Sequence, residues 1–227
     1  MGEIVNYPSN GTEGQGYLAS PAEPGPAVVV IQEWWGLVHH IKSVCDRFAE
    51  EGFVALAPDL YRGEVADEPD DAGIKMMSLD MKQAGKDMSG AIDFLLAHGQ
   101  SNSSTVGVTG FCMGGGMCYI LAADRPESVS AITPHYGVIP WEHAQPEWAN
   151  IAARIQGHYA ELDDFAPPAA VSELQSKLRA LGKDVEMYHY AGAQHGFFND
   201  DRPEVYDPKA AAQAWERSVG FLRANVG

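Results

Sequence analysis

The 227-residue sequence contains only three cysteines. A framework of disulfide bonds needs a larger and even number. No apolar run approaches the roughly 20 residues that span a bilayer, and no basic, apolar leader opens the chain. These absences predict a soluble protein of a reducing compartment, most simply the cytoplasm.

Basic residues are also scarce, with 15 lysines and arginines against 31 acidic residues and a net charge of −16. Nucleic acids and anionic membrane surfaces bind clustered cations, and no run of five basic residues occurs here. We therefore predict neither a nucleic-acid partner nor a membrane partner. An anionic ligand would need a local cationic anchor, for which few candidates exist.

Apolar runs typical of buried strands alternate with segments of helical period. After two short strands in the first twenty residues, strands are predicted at 27–32, 53–58, 105–110, 130–137, 153–160 and 184–192. Helices are predicted at 39–53, 74–97, 113–124, 167–182 and along the C-terminal tail, with a polar loop at 63–73. This alternation predicts an α/β fold, a doubly wound, mostly parallel sheet with helices on both faces, in a single domain over residues 1–227.

The stretch TGFCMGGGMC at 109–118 crowds glycines around one cysteine. Its G-x-C-x-G core matches the nucleophile elbow, with Cys112 at a sharp turn between a strand and a helix. Small residues two positions before and after, Gly110 and Gly114, allow the two elements to cross closely. The helix N-terminus favours a thiolate. The alternative is a small core thiol, which is the interpretation we give to Cys45 and Cys118.

A thiol nucleophile requires a base and an acid that orients it, placed after later strands in the order nucleophile, acid, histidine. His195 lies in the loop after the last predicted strand, between glycine and aromatic residues. The loop ELDDFAP offers Glu161, Asp163 and Asp164 as the acid, and Asp164 suits the cap of the helix that follows. Spacing by itself does not choose between Asp163 and Asp164.

The segment QEWWG follows the strand at 27–32, where the oxyanion hole of this fold obtains one of its N–H groups. Trp34 N–H and Met113 N–H are the predicted oxyanion donors. Glu33, desolvated beside two tryptophans, is a candidate for proton exchange near neutrality, or else an ordinary capping or surface carboxylate. Cys118 follows Cys112 by six residues, which is neither redox nor zinc-ligand spacing, and no metal or other cofactor is predicted.

With these residues assembled, the chain resembles the dienelactone hydrolase (carboxymethylenebutenolidase) family of α/β-hydrolases from about residue 16 to the C-terminus. The resemblance rests on VVVIQEWWGL, FVALAPDLYRG, VGVTGFCMGGG, GHYAELDDFAPP and HGFFNDDRPEVYDPKAAAQAWERSVGFL. It implies a catalytic triad of Cys112, Asp163 and His195. It also implies that Glu33 pairs with the thiol and takes its proton when substrate turns the sulfur toward the histidine.

The resemblance further implies that arginines meet a substrate carboxylate. Arg62 matches the first of them with a spacing shorter by one residue, while Asn199 occupies the position of the second. Arg202 lies three residues further on and either takes that role or pairs with Asp200 or Asp201. Trp35 and Phe197 are the other predicted substrate-binding residues.

These features predict a cofactor-free hydrolase of small esters or lactones, with or without a carboxylate, that works through a thioacyl intermediate. A general carboxylesterase or thioesterase, a ligand-binding α/β-hydrolase without turnover, and thiol redox chemistry are the alternatives. A monomer or a small homo-oligomer is expected.

Overall fold

The computed structural model describes all residues from 1 to 227 and contains one sheet of eight strands. The strands are β1 (Glu3–Ser9), β2 (Thr12–Ala19), β3 (Gly25–Ile31), β4 (Val54–Pro58), β5 (Ser101–Phe111), β6 (Val129–His135), β7 (Arg154–Leu162) and β8 (Val185–Gln194). The helices are α1 (His39–Glu50), α2 (Pro69–Met77), α3 (Met81–Ala97), α4 (Met113–Asp124), α5 (Pro168–Ala180) and α6 (Pro208–Asn225). We propose that residues 1–227 form a single domain, because every strand belongs to this sheet.

The strand order is β1-β2-β4-β3-β5-β6-β7-β8. The pairs β1–β2 and β2–β4 are antiparallel, and all the other neighbours are parallel. Residues 27–31 of β3 are fully buried because helices cover both faces of the central strands. The predicted fold class, a mostly parallel sheet between two helical layers, is confirmed.

The two faces of the sheet carry separate hydrophobic cores. Side chains from α3 and α4 fill one core, and side chains from α1 and α6 fill the other. Cys112 packs against both cores because it stands at the crossing of β5 and α4. The parallel strands all point their carboxyl ends toward that crossing, so the loops after β3, β5, β7 and β8 can converge there.

The segment from 63 to 97 differs in its boundaries from the prediction of a polar loop followed by a helical region over 74–97. Helix α2 begins at Pro69, inside the predicted loop, since proline suits the first helical turn and Asp70 and Asp71 complement the helix dipole. The predicted helical region over 74–97 is divided between α2 and α3, because Asp80 caps the start of α3 by accepting from two backbone N–H groups. Composition alone could not separate the acidic first turn of a helix from an acidic loop.

Candidate active site

Cys112 occupies a strained turn between β5 and α4, with φ of 54° and ψ of −116°. Its N–H donates to the carbonyl of His135 at 3.0 Å, which fixes the turn against β6. A Cβ atom at Gly110 would overlap the carbonyl oxygen of Gly114, and one at Gly114 would overlap that of Ile31. The glycines therefore permit the close crossing of strand and helix on which this backbone depends.

Asp163 and His195 meet at the same edge of the sheet, after β7 and β8 respectively. His195 Nδ1 lies 2.9 Å from Asp163 Oδ2, and the carboxylate is almost fully buried. Asp163 Oδ1 also accepts from the backbone N–H groups of Phe165 and Ala166, at 2.8 and 2.9 Å. The predicted cap by Asp164 is wrong, because α5 begins after Pro167 without a side-chain cap. The structure thus brings Asp163, and not Asp164, to the histidine.

Burial disfavours the charged imidazole of His195, but its interactions with Asp163 and Cys112 outweigh that effect and raise its pKa to about 10. Burial likewise acts to raise the pKa of Asp163. Hydrogen bonds from His195, Ala166 and Phe165 reverse it, and the pKa of Asp163 falls below its usual value of 3.8. The arrangement places the imidazole between the Asp163 carboxylate and the sulfur of Cys112 and favours the protonated form of the imidazole.

The two predicted oxyanion donors lie at the ends of elements that meet at Cys112. Trp34 is in the turn after β3, and its N–H donates no hydrogen bond within the chain. Met113 is the first residue of α4, so its N–H has no acceptor within the helix. Both groups are thus free of the backbone pairing that would prevent them from binding a developing negative charge.

Glu33 is nearly buried, and each of its oxygens accepts a side-chain hydrogen bond. Tyr136 Oη donates to Oε1 at 3.0 Å, and Asn199 Nδ2 donates to Oε2 at 2.7 Å. No hydrogen bond joins Glu33 to Cys112, in contrast to the implied pairing with the thiol. Tyr136 and Asn199 were not predicted as site residues. Tyr136 has no sequence signal beyond following the carboxyl end of a strand, and Asn199 was noted only as the residue at the position of the second implied arginine. A hydrogen bond across 166 residues leaves no pattern in the chain.

A pocket of about 280 Å³ opens over these groups. Phe165 stands at its mouth, largely exposed, with its ring centroid 4.9 Å from that of His195. The residues that line the pocket are Glu33, Trp34, Trp35, Pro69, Cys112, Leu162, Asp164, Phe165, Gln194, His195, Gly196, Asn199, Arg202 and Val205. Leu162 and Phe165 lie next to the predicted acid, but exposed apolar residues in a loop give no sequence signal that distinguishes them from surface.

Two predicted substrate-binding residues lie outside this pocket. Arg62 lines a separate polar cavity and binds both oxygens of the buried Asp87, at 3.0 and 2.9 Å. Phe197 is fully buried behind the site, against Tyr136 and Tyr190. Both predictions are wrong, because a buried carboxylate requires the guanidinium and because the Phe197 ring completes a hydrophobic core.

Arg202 does line the pocket, as does Trp35. The guanidinium of Arg202 stacks 4.5 Å from the Trp35 ring and forms an ion pair with Glu204. The alternative pairing with Asp200 or Asp201 is wrong, because those two carboxylates bind His40 and His39. Arg202 is therefore the one guanidinium placed at the pocket.

Cys45 and Cys118 are completely buried, as predicted. Burial raises the pKa of both thiols, which removes the reactive thiolate form at neutral pH. The Cys118 thiol instead donates to the carbonyl of Gly114 at 3.3 Å. These two cysteines behave as small core residues.

The model of the dienelactone hydrolase family matches residues 15–226. The chain belongs to the dienelactone hydrolase family. It is 39% identical to a "Putative carboxymethylenebutenolidase" of Aquifex aeolicus and 40% identical to "Protein usf" of Aquifex pyrophilus, with 98% of each chain covered in both comparisons. The resemblance predicted from the sequence motifs is confirmed.

Solved structures place this dienelactone hydrolase family member in the wider α/β-hydrolase fold. The crystal structure described as a "Putative Dienelactone Hydrolase" from Klebsiella pneumoniae has a TM-score of 0.88 at 28% identity, over 98% of both chains. A Pyrococcus horikoshii acylaminoacyl peptidase shares the fold alone, with a TM-score of 0.74 at 15% identity over 42% of its own chain. None of the helices here combines the length and the apolar character needed to cross a bilayer.

Proposed function

We propose that this protein hydrolyses small esters or lactones through a covalent intermediate on Cys112, with His195 and Asp163 as the other members of a catalytic triad. One observation carries the proposal. A thiol on a strained nucleophile turn shares a pocket with an imidazole that is hydrogen-bonded to a buried carboxylate. Membership of the dienelactone hydrolase family supports an ester or a lactone as the substrate class.

In the first half of the reaction, the Cys112 thiolate, whose proton is held by His195, bonds through Sγ to the carbonyl carbon, and the carbonyl electron pair moves to oxygen. The N–H groups of Trp34 and Met113 hold the resulting oxyanion. The intermediate then collapses, the carbon–oxygen bond to the leaving group breaks, and the leaving oxygen takes a proton from His195. The acyl group remains on sulfur as a thioester.

In the second half, neutral His195 takes a proton from water while the water oxygen attacks the thioester carbon. The same N–H groups hold the second oxyanion, and the carbon–sulfur bond breaks to release the carboxylic acid. Cys112 leaves as a thiolate beside the imidazolium that has just formed, which restores the starting charges. Asp163 keeps the imidazole in one tautomer and stabilises its charged form throughout.

The size of the pocket limits the substrate. At about 280 Å³ the cavity lies at the small end of the range for ligand sites, so we propose small esters and lactones. Trp34, Trp35 and Phe165 offer aromatic faces for a flat acyl or leaving group. No metal or cofactor takes part in these steps, and no polymeric partner is proposed.

The thioacyl intermediate can be detected directly. We expect rapid acid quenching during turnover of an aryl ester to leave one acyl group on the peptide that contains Cys112, because thioesters survive acid. Mass spectrometry of the digested protein, with fragmentation that distinguishes Cys112 from Cys118 in the same peptide, measures this, and Cys45 and Cys118 are the internal controls. An acyl group on a residue other than Cys112 would contradict its role as the nucleophile.

The two arginines are expected to differ in their effect on charged substrates. Replacing Arg202 with glutamine should lower kcat/KM roughly 10-fold for an aryl ester that carries a carboxylate, relative to the same ester without it, since a charge at the pocket is lost. Arg62→Gln should leave this ratio unchanged within about 2-fold, while lowering the melting temperature through loss of the contact with Asp87. If both variants had the same ratio of kcat/KM between the ester with the carboxylate and the ester without it, a role of Arg202 in recognising charge would be contradicted.

A further inference from the structure

Two of the residues that line the pocket leave most of a large apolar side chain in contact with solvent. Leu162, at the carboxyl end of β7, is 60% exposed, and Phe165 is 62% exposed. Single apolar residues scattered over a protein surface need no explanation. Two such side chains inside a concave site do, because apolar surface that folding leaves uncovered there is available to a ligand.

Phe165 is held beside the residue that protonates the leaving group. Its ring centroid lies 4.9 Å from that of His195. Its N–H donates to Asp163 Oδ1 at 2.8 Å, while Asp163 Oδ2 lies 2.9 Å from His195 Nδ1. One carboxylate thus fixes both the imidazole and the backbone of Phe165. Because His195 gives its proton to the leaving oxygen, the group that this oxygen carries lies next to Phe165.

From Phe165 the aromatic contacts continue away from His195 in a row. The Phe165 ring meets the Trp34 ring edge-on at 6.0 Å, and Trp34 meets Trp35 in the same way at 5.1 Å. The guanidinium of Arg202 ends the row, 4.5 Å from the Trp35 ring. Trp34, whose N–H is the proposed oxyanion donor, stands in the middle. With the carbonyl oxygen bound there, the leaving group extends toward Phe165 and the acyl group toward Trp35.

The charges that line the pocket agree with this direction. Asp164 lies next to Phe165 in the chain, and Arg202, the only arginine or lysine of the pocket, is at the other end of the row. An anionic leaving group would meet a carboxylate in a partly desolvated site, where repulsion is strong. An uncharged apolar group would instead cover Leu162 and Phe165 and remove them from water.

We propose that Phe165, together with Leu162, is a specificity-determining residue that binds the leaving group, so that the substrates are esters of uncharged, apolar alcohols or phenols. The proposal rests on the proposed function and deepens it, because it assigns the two halves of the ester to the two ends of the pocket. In a lactone, the ring carbon attached to the leaving oxygen takes the place of the alcohol.

The test compares three esters that differ only in where they carry a phenyl group. Propyl acetate has none, 3-phenylpropyl acetate carries it on the alcohol, and propyl 3-phenylpropanoate carries it on the acyl group. We expect kcat/KM of the wild type to be about 10-fold higher for 3-phenylpropyl acetate than for propyl acetate. In Phe165→Ser this ratio should fall about 5-fold, while the ratio for the acyl-side phenyl should change by less than about 2-fold.

Two further variants control for the apolar character and for a general effect of a surface substitution. Phe165→Leu keeps an apolar side chain and should retain the alcohol-side ratio within about 2-fold. Ile4→Ser changes a residue that is 49% exposed on the edge strand β1, and both ratios should stay at the wild-type values. An unchanged alcohol-side ratio in folded Phe165→Ser, or a loss on the acyl side in its place, would overturn the proposal.

Binding of the product alcohol separates this role from turnover. Titration with 3-phenylpropanol should shift the NMR signals of the His195 imidazole saturably, with a Kd about 5-fold higher in Phe165→Ser. If the wild type bound the alcohol with this dependence but hydrolysed none of the esters, the proposed function would fail and the role of Phe165 would stand. If the esters were hydrolysed but neither the ratios nor the Kd responded to Phe165→Ser, the role of Phe165 would be refuted and the proposed function would stand.

Discussion

Replacing Cys112 with alanine is expected to lower kcat/KM for a small aryl ester or lactone by about 10⁴-fold or more. The thiol is the only nucleophile that the pocket places beside His195, and the remaining oxyanion donors by themselves supply a small part of the rate acceleration. Spectrophotometric assay of the purified variant measures this effect. Retention of the wild-type rate would exclude the thioacyl route altogether.

The strained backbone at Cys112 supplies a control for folding. A side chain at φ of 54° and ψ of −116° costs about 1–3 kcal/mol, and glycine adopts this conformation without that cost. The inactive variant Cys112→Gly should therefore have a larger free energy of unfolding than Cys112→Ala, by about 1 kcal/mol. If the alanine variant were the more stable of the two, the elbow would not be strained in solution.

Replacing Asp163 with asparagine is expected to lower kcat by about 10³–10⁴-fold with little change in KM. Asparagine keeps an oxygen for the N–H groups of Phe165 and Ala166, but it presents an amide to Nδ1 of His195 and so selects the wrong tautomer. The pKa of His195 should fall from about 10 toward its usual 6.5, because the Asp163 carboxylate is gone and only the interaction with Cys112 still raises it. Titration of the imidazole by NMR measures this change, and an unchanged pKa would contradict the assignment of Asp163.

The same substitution should change stability in a defined pH window. The raised pKa of His195 stabilises the fold fully below 6.5, and this contribution is lost as the pH rises through about 10. The lowered pKa of Asp163 contributes above 3.8 and is lost as the pH falls through its folded value. Urea denaturation should therefore show the largest difference between wild type and Asp163→Asn between pH 3.8 and 6.5. If the difference in free energy of unfolding between wild type and Asp163→Asn grew toward high pH, it would contradict the expected contribution of the Asp163–His195 pair.

Much of the active-site architecture could be predicted from local pattern. The apolar runs, the glycines around Cys112 and the position of His195 after the last strand are features of contiguous residues, and the fold brings strand ends to one edge of the sheet. The failed predictions concern side chains whose partners lie far along the chain. Arg62 binds Asp87, Phe197 packs behind the site, and Asp164 caps no helix.

The sequence by itself determined the alternation of strands and helices, the sharp turn at Cys112, and a histidine and an acid in the loops that face it. These properties follow from hydrophobic period, steric size and chain order. The family resemblance chose Asp163 over Asp164, and the structure places it at His195. Only the tertiary structure decided that Arg202 alone brings a guanidinium to the pocket and that Glu33 is held by Tyr136 and Asn199. The reason is that each depends on which way a side chain points across a gap between separate elements, and that direction follows from packing, which no local pattern records.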